Sequence, residues 1–412
     1  MPEPARRLPG PVKGLSLVSL FNDFASEMVY PVLPAFITGP LGGSALALGT
    51  LDGAADLTAA LLRWVSGRLA DRRGWTKPLI LAGYGVAILV RPLISVASAA
   101  WQVVGFRVID RVGKGLRSPA RDGLIARVTP PVLRGRAFGF NRAADHLGAV
   151  LGSLVSWVLL QSSMGVRDVI GWSAVPGLVA VLVLVFALKG VNGTRKSVNG
   201  QRSTVNGKSM SGRAGRPVDR SPFTVDAFGK DYWLPAGALV LLTVTRLPET
   251  LLLLRLQQLG IPVAVIPLAW AGLHVVRSGS AYPGGWLTDR LGARWTYVLG
   301  AAVYVGVALL LAGRPAEGAA LVGFLLLGLV AGFTEPAERV VVGWLAPIRP
   351  GRGFGDYQAV AGIAALPAGI LFGWIYAAAG APFALLGSAA LLTGAAMLWL
   401  WVGPRVTTRA IR

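Results

Sequence analysis

About twelve stretches of mostly apolar residues follow one another along this chain of 412 residues. An α-helix needs about 20 such residues to cross the hydrocarbon core of a bilayer. Only 14% of the residues are charged and the mean hydropathy is +0.60, whereas about a quarter of the residues in a soluble domain are charged. We therefore predict an all-α integral membrane protein. The predicted spans lie near residues 14–38, 45–69, 78–99, 101–127, 134–160, 168–189, 233–256, 263–287, 295–313, 318–345, 355–378 and 382–403.

The first stretch carries Asp23 and Glu27 and lacks a small-residue cleavage site. We therefore expect it to be a retained span and not a signal peptide. The chain has no cysteine, which excludes disulfides, thiolate metal sites and cysteine nucleophiles. His146 and His274 are far apart in the sequence, and each is expected to be isolated and to pack between helices. No metal site is predicted.

The distribution of the basic residues predicts the orientation of the chain in the membrane. A net charge of +21 can indicate nucleic-acid binding, but here the basic residues cluster in alternate loops. The intervening loops, near 39–45, 98–101, 257–263 and 378–383, carry no charge. This is the positive-inside pattern. It predicts no nucleic-acid partner, an even number of spans and both termini in the cytoplasm. The basic clusters are Arg6, Arg7 and Lys13; Arg72, Arg73 and Lys77; Arg127, Arg134 and Arg136; Arg290 and Arg294; Arg349 and Arg352; and Arg405, Arg409 and Arg412.

A segment without a hydrophobic period separates the two halves of the chain. It contains three Val-Asn-Gly triplets at seven-residue intervals from Val191, interspersed with lysine and arginine. Asn-Gly forms turns and contributes little to a packed core. We predict a disordered basic cytoplasmic linker at 190–230 that can lie on anionic lipid headgroups. An N-terminal six-helix bundle would then occupy 1–189 and a C-terminal one 231–412.

The two halves repeat the same motifs. The sequence from Gly67 to Gly74 reads GRLADRRG, and that from Gly285 to Gly292 reads GWLTDRLG, 218 residues later. A second pair of segments, beginning at Pro119 and Pro336, recurs at 217 residues. The chain is therefore a duplicated hydrophobic unit, which is how many secondary transporters are built.

The paired motif resembles that of the major facilitator superfamily, whose members carry it between spans 2 and 3 and often in weaker form between spans 8 and 9. The resemblance covers nearly the whole chain. It implies the facilitator fold, with 12 transmembrane helices in two pseudo-symmetric six-helix bundles and both termini cytoplasmic. It also implies that spans 3, 6, 9 and 12 form an outer scaffold around a central cavity. Within their interiors these four spans carry a single charge, Arg91.

Span 4 carries a narrower resemblance. The segment from Arg111 to Gly115 reads RVGKG and is similar to the Arg-x-x-x-Gly element of proton-coupled antiporters in this superfamily. That resemblance implies a part in proton transfer for Arg111. The longer sequence around it, with that of span 1, is similar to a poorly characterised prokaryotic branch near the proton-coupled drug antiporters. In span 5, Gly148 and Gly152 match the antiporter signature, whereas Ser153 stands in place of its proline.

Charged residues inside the spans define the candidate site, because ionisable side chains in a membrane are costly and by default functional. At about 1.5 Å per residue, Glu27 and Arg111 both lie near the midplane. We predict that Glu27 carries the coupling proton and pairs with Arg111 in one access state only. Arg63, Asp110 and Arg142 are expected to form structural ion pairs. The predicted proton-coupling and substrate cavity comprises Asp23, Glu27, Asp52, Asp56, Arg107, Arg111, Lys114, Asp145, Arg246 and Glu249.

The paired motif is predicted to gate the conformational cycle from the cytoplasmic helix ends. Glycine allows two helix ends to approach closely, and the motif aspartate can accept from a neighbouring helix N-terminus. Prolines at positions 31, 34, 119, 248 and 336 are predicted to interrupt the helices that line the cavity, either as places of gating flexion or as local kinks without dynamic importance. The gating residues are Gly67, Asp71, Arg72, Gly74, Gly285, Asp289, Arg290 and Gly292.

These observations predict a monomeric secondary transporter of the cytoplasmic membrane, which exports a small organic molecule and is coupled to the proton gradient. No cofactor is expected. The alternative within transport is a proton-coupled or exchange transporter of a small organic anion, although the near balance of acids and bases argues against a strongly basic cavity. A membrane-embedded enzyme would need a nucleophile and base or a metal cluster, and a receptor would more often carry a folded soluble domain. Neither feature is recognisable in the sequence.

Overall fold

The computed structural model describes residues 8–70, 74–129, 134–202, 230–345 and 350–402. Within these ranges the chain forms α-helices joined by short turns and contains no β-strand. The helices are α1 Gly10–Val29, α2 Leu33–Thr38, α3 Ala45–Ala70, α4 Thr76–Leu93, α5 Ala100–Val128, α6 Arg134–Gln161, α7 Val166–Trp172, α8 Ala174–Arg202, α9 Lys230–Val244, α10 Glu249–Gln258, α11 Ile266–Leu291, α12 Ala293–Ala312, α13 Glu317–Leu345, α14 Pro350–Ala379 and α15 Ala381–Val402.

The helices coincide with the predicted spans. Ten helical segments of the described residues are long and apolar enough to cross a membrane. The two other predicted spans, 14–38 and 101–127, also form long helical segments, α1 with α2 and α5, but these carry more charged and polar residues. The all-α membrane fold is confirmed, and the helices fit an arrangement of twelve spans.

The two halves meet through a pair of equivalent helix contacts. The second span of the first half, α3, packs along the fifth span of the second half, α14. Reciprocally, the second span of the second half, α11, packs against the fifth span of the first half, α6. This exchange is what a pseudo-twofold relation between duplicated halves requires.

Glycines allow α3 and α14 to approach closely. A methyl group on Gly49 would overlap the backbone of Gly369, and one on Gly369 would overlap the backbone of Gly49. Gly53 and Gly373 lie in the same crossing, where an added methyl would also meet the facing backbone. Small residues of this kind are what helix contacts in lipid use to gain packing energy.

Buried apolar residues join the halves on the predicted extracellular side. One continuous core includes Leu33, Phe36 and Leu48 of the first half together with Leu251 and Ile266 of the second. A separate core fills the predicted cytoplasmic part of the first half alone, from Val12 to Leu188. The halves therefore share a continuous apolar core near their extracellular ends, and polar contacts such as that of Trp64 with Asp356 join them on the cytoplasmic side.

Two sequence expectations about helix ends differ from the structure. The linker was predicted to begin at residue 190, whereas α8 continues through Arg202. An existing helix grows by one hydrogen bond per added residue, and proline, which would stop it, is absent from 190–202. The rest of the predicted linker that precedes α9 lies outside the described residues.

Prolines interrupt the cavity-lining helices at some of the predicted positions and not at others. A 3-10 turn, Tyr30–Val32, separates α1 from α2 at Pro31, and Pro248 is the residue before α10. Pro119 and Pro336, by contrast, lie inside α5 and α13, which continue past them. The prediction of an interruption is therefore wrong for these two prolines, because neighbouring side chains and helices in a packed bundle can satisfy the backbone group that proline frees.

Candidate functional site

A cavity of about 680 Å³ lies between the two halves. It is lined by α1, α3, α5, α6, α9, α10, α11, α13 and α14, and by Tyr304 of α12. The helices that correspond to spans 3, 6 and 12 are absent from this lining, as the facilitator arrangement implies. All ten residues that the sequence predicts for the cavity line it: Asp23, Glu27, Asp52, Asp56, Arg107, Arg111, Lys114, Asp145, Arg246 and Glu249.

The cavity is closed toward the predicted extracellular side by contacts between the halves. Asp52 on α3 accepts hydrogen bonds from the Thr250 hydroxyl at 2.7 Å and the Thr250 backbone N–H at 3.2 Å. The Tyr30 hydroxyl donates to the same carboxylate at 3.2 Å. The Tyr30 and Trp270 rings contact each other with centroids 5.1 Å apart. Tyr30, Thr250 and Trp270 are all buried.

The cavity lining is more exposed toward the predicted cytoplasmic side. There, the side chains of Arg142 of α6 and Glu335 of α13 are 55% and 46% exposed, although they lie 3.9 Å apart across the halves. Trp64 of α3 also donates to Asp356 of α14 at 3.4 Å. The cavity is therefore more accessible from the predicted cytoplasmic side than from the extracellular side, while contacts between the halves remain on both sides.

Glu27 lies where the two halves meet. Its Oε2 atom accepts a hydrogen bond of 2.8 Å from Trp270 Nε1 on α11 and lies 4.0 Å from His274 Nε2 on the same helix. Both partners belong to the second half, whereas Glu27 belongs to the first. The predicted pair with Arg111 is not formed in this conformation, since no carboxylate of the described residues lies within 4.0 Å of Arg111.

The two histidines were expected to be isolated from each other, and that expectation is wrong. His146 on α6 and His274 on α11 face each other with ring centroids 6.2 Å apart, because these two helices cross between the halves. Both ring nitrogens of His274 are buried and have no hydrogen-bond partner within the part of the chain that the structure describes. Within the described residues no group of three or more histidine, aspartate or glutamate side chains is arranged to hold a metal ion.

One wall of the cavity carries three cations that have no ion-pair partner among the described residues. Arg63 on α3 and Arg111 and Lys114 on α5 all line the cavity. In the part of the chain that the structure describes, no carboxylate oxygen lies within 4.0 Å of any of them. Asp56 lines the same wall.

Arg107 and Asp110 take part in a buried cluster behind this wall. Asp110 lies 2.8 Å from Arg91 and 3.5 Å from Arg107. Arg91 also donates to the Asn22 carbonyl of α1 at 3.1 Å, and the Arg107 guanidinium lies 4.8 Å from the centre of the Tyr30 ring. Asp110 thus forms the structural ion pair that was predicted. Arg107 contributes both to this cluster and to the cavity lining.

The other predicted residues have local partners. Glu249 forms an ion pair of 2.7 Å with Arg277 one helix away. Asp145 accepts from Asn141 at 3.4 Å and lies 3.7 Å from Arg121. The predicted structural pairs of Arg63 and Arg142 differ: Arg63 has no partner within ion-pair distance among the described residues, and Arg142 faces Glu335 across the halves.

The cavity residues predicted from the sequence include Arg246 and Glu249 of the second half but omit three side chains of α11. Trp270, His274 and Arg277 all line it from α11. Their spacing of four and three residues places them on one helix face. This pattern could have indicated a cavity-lining stripe on span 8.

The gating motif is described in part. Gly74 and Gly292, the last glycines of the two copies, have φ angles of +95° and +84°, which is the region that favours glycine. Arg290 lies over the Trp286 ring at 4.0 Å. Asp71, Arg72 and the side chain of Asp289 lie outside what the structure describes. Gly67 and Gly285 lie within α3 and α11.

Comparison with known proteins identifies the family. A family model described as Major Facilitator Superfamily matches residues 15–276, which is more than half of the chain. The chain belongs to the Major Facilitator Superfamily. It is therefore a multi-pass membrane transport protein and not an enzyme.

Relatives of this facilitator-superfamily protein span most of its length. An uncharacterised protein of Mycobacterium tuberculosis is 28% identical, with 82% of this chain and 81% of the relative covered. An uncharacterised MFS-type transporter of Methanocaldococcus jannaschii is 26% identical, with 94% of each chain covered. The multidrug resistance protein MdtH of Photorhabdus laumondii is 32% identical over 32% of this chain and 33% of its own.

Solved structures of the superfamily share the fold. The nucleoside transporter NupG aligns with a TM-score of 0.77 at 11% identity, over 96% of this chain and 100% of NupG. A D-xylose-proton symporter aligns with a TM-score of 0.70 at 13% identity, over 96% and 98%. At these identities the likeness concerns the fold alone.

Proposed function

We propose that this transporter exports a small organic molecule in exchange for protons, by alternating access of the cavity between the two halves. One observation carries the proposal: Glu27, a cavity carboxylate of the first half, is bound by the Trp270 N–H of the second. Proton binding at Glu27 and separation of the halves would then act on the same contact. The partial similarity to a multidrug resistance protein supports export of a small organic molecule.

The contacts of Glu27 differ from those of a structural ion pair. Its hydrogen-bond donor is a neutral indole, and no arginine or lysine of the described residues lies within 4.0 Å of its carboxylate. Asp110, between two arginines, has the opposite environment and is suited to a structural role.

Loss of the carboxylate should separate uphill transport from exchange. Glu27→Gln keeps an oxygen that can accept from Trp270 but removes the proton site. Purified protein in liposomes, with the pH indicator pyranine inside, would be tested with the compound that most raises its Tm in a ligand screen. We expect solute-dependent proton movement and gradient-driven accumulation in the wild type. Both should be lost in Glu27→Gln, while solute exchange persists.

Glu317→Gln is the matched control, since Glu317 is exposed at the start of α13 and does not line the cavity. It should behave as the wild type. Uphill transport with an unchanged pH profile in Glu27→Gln would contradict the proposal and move the coupling site elsewhere, with Asp52, Asp56 and Asp145 as the next candidates.

A further inference from the structure

The cations on the α3 and α5 wall have carboxylates in their surroundings, but among the described residues none of these is an ion-pair partner. The carboxylates whose charge acts most strongly on Arg63, Arg111 or Lys114 include Asp23, Glu27, Asp56, Asp110 and Asp122. Four of these five have another hydrogen-bond or ion-pair partner.

Each of the four partners is seen in the structure. Asp110 faces Arg91 and Arg107. Glu27 accepts from Trp270, Asp23 from Asn22 and Asp122 from Arg121. Asp56 alone among the five has no such partner in the described part of the chain. The donors to Glu27 and Asp23 are neutral, so these two carboxylates keep their charge. Among the described residues, however, none of the five lies within 4.0 Å of Arg63, Arg111 or Lys114.

Holding unpaired cations inside a membrane protein costs free energy. A charged side chain at membrane depth normally pairs with an opposite charge or with water in a cavity. Arg111 and Lys114 are three residues apart on α5 and share a face, so they also repel each other. Water that enters the cavity can solvate these three side chains. An anion that displaced this water would supply the direct ion-pair contacts that the three cations lack among the described residues.

We propose that Arg63, Arg111 and Lys114 form a subsite for the negatively charged group of the transported solute, so that the substrate is an organic anion. Guanidinium groups bind carboxylate, phosphate and sulfonate oxygens through paired N–H donors, and the lysine ammonium adds a point charge. This inference rests on the proposed transport function and deepens it. It does not depend on which residue carries the coupling proton.

The rest of the cavity suits the organic part of such a solute. Ala59, Ala60 and Ala365 line it and leave room beside the basic wall. A volume of about 680 Å³ is within the range of roughly 300–1,000 Å³ that small-molecule sites occupy. The solute would therefore be a small anion with an apolar body.

The test compares charged compounds with neutral counterparts of the same ring system on the purified full-length chain. Benzoate would be compared with benzamide, phenyl phosphate with phenol, and naphthalene-2-sulfonate with its sulfonamide, with binding read from the Tm at increasing concentration. We expect at least one anion to stabilise the protein and its neutral counterpart to fail. Arg63→Gln and Arg111→Gln should each weaken that binding by roughly 10- to 100-fold, because each removes hydrogen bonds to a charged group.

Two further variants keep the result interpretable. Arg167→Gln alters an arginine on the outer surface away from the cavity and should bind as the wild type. Arg111→Lys keeps the charge, and should retain more affinity than Arg111→Gln if folding is unchanged by size-exclusion chromatography. Neutral compounds that bind as tightly as anions, an anion panel that stabilises nothing, or equal loss in Arg167→Gln would overturn the subsite.

Binding at equilibrium needs no proton gradient, so the two proposals can fail separately. Charge-dependent binding combined with normal uphill transport by Glu27→Gln would contradict the assigned coupling site and leave the subsite standing. Loss of uphill transport in Glu27→Gln combined with charge-independent binding would contradict the subsite and leave the assigned coupling site standing.

Discussion

At the scale of single residues, the cavity charges divide into committed and uncommitted groups. Asp110 and Arg107 are almost fully buried, at 2% and 1% exposure, and serve an ion-pair cluster that joins α1, α4 and α5. Arg111, one helical turn from Arg107, faces the cavity without a carboxylate within 4.0 Å among the described residues. Neighbouring charges on one helix thus have different roles, which are set by what packs against each of them.

The buried cluster should matter for stability. Asp110→Asn would leave two buried guanidinium groups facing a neutral amide, and breaking a buried ion pair in this way costs about 3–5 kcal/mol. We expect a clear fall in Tm, measured by heating the purified protein and quantifying the monodisperse fraction. Asp168→Asn, an exposed carboxylate at the start of α7, is the control. Equal stability of the two variants would show that the cluster contributes little.

The sequence predicts which charged residues line the cavity but not which partners they have. Depth along a helix follows from residue count, and all ten predicted side chains line the cavity. The partner of Glu27, Trp270, lies 243 residues away on another span. No local pattern encodes that contact, since it depends on how the two halves dock. The predicted pairing of Glu27 with Arg111 in another access state remains a prediction.

At the scale of elements, the duplicated motif marks a specific backbone conformation. Gly292 has φ 84° and ψ 152° between α11 and α12, and this region is essentially restricted to glycine. Gly74, at the equivalent place before α4, also has a positive φ. The repeat that indicated a duplicated unit therefore includes a glycine that each half needs for the turn between its second and third spans.

Substitution of Gly292 should lower the stability of the fold because of the backbone conformation at this position and not because of side-chain packing. Gly292→Ala should lower stability by about 1–3 kcal/mol, because alanine is strained at this φ and ψ. Gly306→Ala, in the middle of α12 with open space where the methyl would lie, should be neutral or slightly stabilising. Their Tm values in the same detergent provide the measurement. Equal values for both variants would mean that the turn relaxes without strain.

Helix positions were predictable because twenty-residue apolar stretches leave little choice in a membrane, and each predicted span is helical. Helix interruptions were less predictable. Pro31 and Pro248 coincide with breaks, whereas α5 and α13 continue through Pro119 and Pro336. The difference lies in neighbouring helices, which the sequence around one proline does not specify.

At the scale of the whole molecule, the two halves meet along the α3–α14 and α6–α11 crossings and enclose a cavity that is more exposed on its predicted cytoplasmic side. The extracellular side is closed by buried contacts at Asp52, Thr250, Tyr30 and Trp270. Transport by alternating access would open these contacts and bury the exposed Arg142–Glu335 pair on the cytoplasmic side. Glu27 lies between the two regions and would link this movement to proton binding.

The most direct test of this account follows both sides of the protein at once. The chain has no cysteine, so spin labels can be placed on Trp75→Cys with Trp295→Cys at the predicted cytoplasmic side, and on Ser162→Cys with Ala316→Cys at the predicted extracellular side, all exposed positions. Double electron–electron resonance distances in lipid nanodiscs would be compared in mildly acidic and mildly alkaline buffer. We predict that the two distances shift in opposite directions between the buffers, and that Glu27→Gln abolishes the shift. Distances that stay fixed, that change in the same direction, or that respond equally in Glu27→Gln would contradict the account.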